Sequence, residues 1–144
     1  MFKRILVPTD GSEVTRRAVA TAIGLARSLG ADIETLCVKE PFPYGAVAEM
    51  QPTPPQEFFD AQERAATGHV KAVVDACAAA GVSCHAQTVD GLQPWEAIVA
   101  HAEQAGCDLL VMGSHARSGL AALFMGSETQ DVLKHTRIPV LVVH

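Results

Sequence analysis

The stretch Val111-Met112-Gly113-Ser114-His115-Ala116-Arg117-Ser118-Gly119, closing at Gly126-Ser127, decides how this chain is read. It continues a short apolar run, Asp108-Leu109-Leu110-Val111-Met112, of the kind that forms a strand buried on both faces. The run breaks at Gly113, turns through Arg117-Ser118-Gly119, and meets a helical pattern at Ser127. A strand that opens into a Gly/Ser loop and then a helix start is a place where anions bind. Backbone N–H groups in the first turn of a helix lack intrahelical partners, and the helix dipole favours negative charge there.

Upstream, the same alternation recurs. Ile5-Leu6-Val7 is an apolar run stopped by the turn residues Pro8-Thr9-Asp10-Gly11-Ser12. Ser12 suits an N-cap, and Val14, Ala18, Ala22, Leu25, Ala26 and Leu29 follow at helical spacing until Gly30. Asp32 to Val38 reads as a second strand, joined to the first by a crossover long enough to be right-handed and parallel. Glu57 to Ala80 is the longest helix; Gly68 within it costs about 1 kcal/mol relative to Ala. Val82 to Val89 is a third strand. Pro94 opens a helix through Trp95 to Ala102, and Cys107 to Met112 is the fourth strand. Ser127 to His135 is a short helix, and Pro139 to Val143 is the fifth strand. Strands alternating with helices predict an α/β fold, a doubly wound parallel sheet covered on both faces. Between Lys39 and Gln56 the pattern lapses into a Pro-rich loop, with Phe42 and Tyr44 able to fold back onto the site or onto a partner chain.

The composition fits that reading. At 144 residues one domain is expected, spanning 1–144. The chain is 49% hydrophobic and 19% charged, which is globular rather than disordered. A net charge of −5 with no basic patch argues against nucleic acid as a partner. Cys37, Cys77, Cys84 and Cys107 form no CxxC pair and read as small buried hydrophobes in a reducing compartment. No apolar run reaches the roughly 18 residues of a membrane span, and Met1-Phe2-Lys3-Arg4 passes straight into a strand, so a cytoplasmic protein is expected. The histidines, at positions 69, 85, 101, 115, 135 and 144, lack metal-ligand spacing, and no nucleophile elbow is present. Neither a metal centre nor a catalytic residue is assigned.

Ligands of open α/β sheets bind beyond the carboxyl ends of the strands, where strand order reverses. Four features fall at such ends: Pro8 to Ser12, Val38-Lys39, Gly91-Leu92-Gln93 and Gly113 to Ser127. The first and last would face each other, setting Asp10 opposite the backbone amides of the Gly/Ser loop.

The residues Arg4-Ile5-Leu6-Val7-Pro8-Thr9-Asp10-Gly11-Ser12, Asp108 to His115, Arg117-Ser118-Gly119, Gly126-Ser127 and Ile138 to Val143 together resemble the universal stress protein family. The resemblance spans nearly the whole chain, with 39 to 56 as a variable region. It implies an open five-stranded sheet of order 3-2-1-4-5, Rossmann-like and similar to the adenine nucleotide alpha hydrolases. It further implies a homodimer through the 139–143 edge strand, and a stress-response sensor or regulator rather than a fast enzyme, with slow ATP hydrolysis at most. One branch of the family binds ATP through a spaced glycine pattern. Here that pattern falls on Gly113 and on Gly126-Ser127, with Ala116 at the middle glycine. If that position needs a positive φ, Ala costs roughly 1–2 kcal/mol, and an Ala116→Gly change should then raise affinity.

By this resemblance Asp10 faces the nucleoside, Val38 contacts the adenine, and Gly113, Gly126, Ser127 and Thr129 hold the phosphates, to which Arg117 could add charge; Pro8, Thr9, Met112, His115, Ala116 and Glu128 complete the expected cofactor-binding residues. ATP, with Mg2+ accompanying it, is the implied ligand. Glu128 suits a phosphate neighbour only if its carboxylate points outward. The competing expectation is a dimeric interaction module of the same fold that needs no nucleotide.

Overall fold

The structure, a computed structural model, describes residues 1–39, 56–114 and 126–144. Among the described residues nine elements follow in order. They are β1 (Arg4–Pro8), α1 (Glu13–Leu29), β2 (Asp32–Lys39), α2 (Gln56–Ala79), β3 (Cys84–Asp90), α3 (Pro94–Gln104), β4 (Leu109–Gly113), α4 (Ser127–His135) and β5 (Val140–Val143). The five strands form one parallel sheet in the order β3-β2-β1-β4-β5. The order reverses between β1 and β4, which pair through Ile5 with Leu109 and Leu6 with Leu110.

Strand alternation divides the core into two layers, because successive side chains point to opposite faces. Ile5, Val7, Ile33, Leu109 and Val111 meet Ala18, Ala22 and Ala26 of α1 and Val73 and Cys77 of α2. Leu6, Leu36, Leu110 and Met112 meet Ile98, Val99 and Ala102 of α3 and Val132 of α4. Small alanines on α1 let that helix lie close to the sheet. Each fully buried Val, Leu or Ile contributes roughly 1.5–3 kcal/mol.

The helix ends follow the expected chemistry. Ser12 caps α1 by accepting the Thr15 N–H at 3.4 Å, and Gly30 ends it at φ 66°. Pro94 stands at the start of α3. β3 begins at Cys84 rather than at the expected Val82, because its pairing with β2 starts where Cys84 meets Ile33. Val82 is buried ahead of the strand. β4 likewise starts at Leu109, two residues later than expected. The four thiols are unpaired. Burial pushes Cys84 up to about 12 and Cys107 up to about 11, so both stay protonated at neutral pH. Among the described residues no helix is long and apolar enough to cross a membrane. The expected loop from Lys39 to Gln56 lies, apart from its two ends, outside the described residues.

Candidate functional site

The turn after β1 faces the end of β4 and the start of α4 at the point where strand order reverses, and a cavity of about 550 Å³ lies between them. Pro8, Thr9 and Asp10 line it from the first turn and Thr15 from α1. Leu36 and Val38 of β2, Ile98 of α3 and Met112 of β4 give it an apolar wall. Gly113, Gly126, Ser127, Glu128 and Thr129 line the side formed by the end of β4 and the start of α4. Leu92 and Pro94 complete the rim.

Local hydrogen bonds shape the first turn. The Thr9 N–H donates to the Leu36 carbonyl at 2.9 Å, carrying the sheet pairing one step beyond β1. Thr9 Oγ1 accepts the Gly11 N–H at 3.2 Å. Gly11 adopts φ 78°, and a Cβ there would lie 2.3 Å from the His69 ring. Asp10 Oδ1 accepts the Ser12 N–H at 2.9 Å and the Thr15 hydroxyl at 3.1 Å. This Asp-initiated turn fixes the exposed carboxylate of Asp10 at the cavity lip.

The opposite side departs from the sequence expectation in one respect. The strand does not break at Gly113, which still pairs with Val143, and the Ser114 N–H continues the ladder to the Val143 carbonyl at 2.8 Å. The reason is β5, whose pairing holds β4 extended for one more residue. Glycine is required at 113 by a close approach. A Cβ there would lie 2.9 Å from the Val14 carbonyl oxygen in the first turn of α1. Ser114 is buried, and its Oγ accepts the Gly126 N–H at 3.1 Å. That bond draws together the two ends of the segment 115–125. His115, Ala116 and Arg117 lie outside the described residues.

At α4 the N-cap is Gly126, which offers no side-chain acceptor to the first-turn N–H groups. Glu128 lines the cavity rather than turning outward, and its Oε2 accepts the Trp95 N–H at 2.8 Å. It thereby caps α3, whose own N-cap residue Gln93 makes no side-chain capping bond to the helix backbone. Trp95 also stacks on His135 at 4.1 Å between ring centroids, joining α3 to α4 a second time. Among the described lining residues the charges are the carboxylates of Asp10 and Glu128, with no cation. Lys39, next to Val38, is held by Glu63 and Asp90. Its bond to Glu63 in particular raises its affinity for the proton. No group of three His, Cys, Asp or Glu side chains among the described residues is placed to hold a metal ion.

Every described residue that the sequence assigned to the site borders this one cavity. Sequence reasoning missed Thr15, Leu36, Leu92, Pro94 and Ile98. Two of these were within reach of periodicity: Leu36 precedes Val38 by one strand repeat, and Ile98 follows Pro94 by one helical turn. Leu92 stands in the strand-end turn Gly91-Leu92-Gln93, but nothing in its residue type marks it as a rim.

The chain is similar to known proteins over its whole length. The model of the universal stress protein family matches residues 1–144. A universal stress protein of Methanocaldococcus jannaschii, MJ0531, is 33% identical over 144 residues, covering 99% of this chain and 82% of its own. The solved structure of MJ0577, from the same organism, superposes with a TM-score of 0.80 at 29% identity, covering 99% of this chain and 96% of that one. A universal stress protein solved in complex with cAMP superposes with a TM-score of 0.73 at 25% identity, covering 99% and 97% of the two chains. With its whole length matched and its strand order that of a sheet reversing at β1 and β4, this chain belongs to the universal stress protein family.

Proposed function

We propose that the cavity between the 8–12 turn and the start of α4 binds an adenine nucleotide, ATP among them, and that the protein acts as a stress-response sensor or regulator. One observation carries the reading. A single cavity combines an apolar wall, a lip carboxylate and a helix start without a side-chain cap, the kinds of group that a base, a ribose and a phosphate require. Leu36, Val38, Ile98 and Met112 can sandwich a base. Asp10 can accept hydrogen bonds from ribose hydroxyls or an amino group. The first-turn N–H groups of α4 and the Ser127 and Thr129 hydroxyls can donate to phosphate. A relative of the same fold that is solved with cAMP supports the class of ligand. Mg2+ would enter with a polyphosphate and shield its charge. The reading also includes a cytoplasmic homodimer joined along β5.

The test is a thermal melt of the purified protein with increasing ATP or AMP. A ligand that binds only the folded state stabilises it by about 2.7 kcal/mol at a hundred times its Kd. A rise in Tm that grows with concentration is expected. An unchanged Tm with both nucleotides at millimolar concentration would remove the nucleotide reading and leave the interaction module.

A further inference from the structure

We infer that Glu128 is a built-in anion that sets how many phosphates the site tolerates, so that a nucleoside monophosphate is preferred over the triphosphate. This inference rests on the nucleotide reading of the cavity and deepens it.

α3 and α4 both begin beside the cavity, at Pro94 and Ser127. The positive end of each helix would favour a phosphate. Glu128 already occupies that role at α3. It stands in the first turn of α4, and its Oε2 accepts the Trp95 N–H in the first turn of α3 at 2.8 Å. The bond holds the carboxylate in place rather than letting it swing into solvent, and Glu128 still lines the cavity.

Nothing described around the cavity offsets this charge. The other lining charge, Asp10, is also a carboxylate, and Lys39 is engaged by Glu63 and Asp90. One phosphate can still be received by the N–H groups of Ser127 and Thr129. Each further phosphate adds negative charge in a space that holds a fixed carboxylate. A like charge at the partly exposed distances of such a site weakens binding by roughly two- to fivefold.

The experiment is calorimetric titration of the full chain with adenosine, AMP, ADP and ATP, in magnesium-free buffer, for the native protein and for Glu128→Gln. Glutamine keeps an acceptor for the Trp95 N–H and removes the charge. Affinity should fall from AMP to ATP in the native protein. In Glu128→Gln the AMP-to-ATP ratio should shrink by about two- to fivefold, with adenosine affinity unchanged. Raising the salt concentration on the native protein should shrink the ratio as well, which gives a readout even if the variant fails to fold. ATP binding as tightly as AMP in the native protein, or a ratio unmoved by Glu128→Gln, would overturn the inference while leaving the nucleotide reading intact. Absence of binding by all four compounds would overturn both.

Discussion

Gly113 shows how one residue type can serve two ends. The spaced glycines point to phosphate, and Gly113 does line the cavity. Yet its backbone contact is with α1, where an added methyl group would lie 2.9 Å from the Val14 carbonyl oxygen and 3.0 Å from its carbon. Backbone cannot yield as a flexible side chain can, so α1 or the end of β4 must shift. Gly113→Ala should therefore cost about 1–3 kcal/mol in urea unfolding, with or without nucleotide present. A stability loss under a few tenths of a kcal/mol would mean that α1 moves freely, and that the glycine serves only the ligand. The sequence shows the glycine but not its neighbour, since Val14 is brought to it only by the crossover of α1 over the sheet. Ser114 was overlooked for a similar reason. Its role is a long-range bond to Gly126, twelve residues on, and no local pattern reports such a closure.

Among the elements, β1 depends on a residue outside itself. Asp108, just before β4, accepts the Lys3 N–H at 2.8 Å and the Arg4 N–H at 3.0 Å, while the Arg4 guanidinium donates to the Ala105 carbonyl at 2.8 Å. The start of the central strand is thus pinned to the start of its neighbour. Desolvation raises the Asp108 carboxyl, but the N–H groups of Arg4 and Lys3 outweigh it and hold the group below its usual range. A carboxyl whose folded pKa is depressed contributes stability above its unfolded pKa, near 3.9, and loses that contribution as pH falls through the folded value. Asp108→Ala should accordingly lower Tm at neutral pH, and the gap from the native protein should close as pH drops below about 4. An equal Tm difference from neutral pH down to pH 2 would show that the bonds act by geometry alone. The elements themselves were legible in the sequence because runs such as Leu109 to Met112 and spacings such as Ala18, Ala22 and Ala26 are local. Their ends were less so. Strand limits depend on partners, and β3 could be trimmed to Cys84 only by knowing that Ile33 lies opposite.

For the whole molecule, the two edges of the sheet differ in a way that bears on assembly. β3, on one edge, exposes His85, Ala86 and Gln87 and ends at Asp90, a polar rim that discourages pairing with another strand. β5, on the other, is Val140-Leu141-Val142-Val143, without a charge. Leu141 is 38% exposed, and the other three are only partly buried. Arg17 donates to the carbonyl of His144 at 3.1 Å, which ties the residue after this strand to α1. An unprotected apolar edge on a folded protein is a pairing surface, and two copies meeting along β5 would cover it on both. The proposed homodimer predicts a sedimentation mass of twice the chain at micromolar concentration. Leu141→Lys should shift that mass towards one chain, while the corresponding change on the polar edge, Gln87→Lys, should leave it untouched. No residue of β5 lines the cavity, so nucleotide affinity measured on the Leu141→Lys monomer separates two cases. Unchanged affinity means that each chain carries a complete site, whereas a loss means that pairing along β5 holds Gly113, which lies opposite Val143, and Ser114, whose N–H donates to the Val143 carbonyl, in the geometry the site requires. A native protein that sediments as one chain, or a Leu141→Lys variant that still sediments as two, would rule out β5 as the dimer edge.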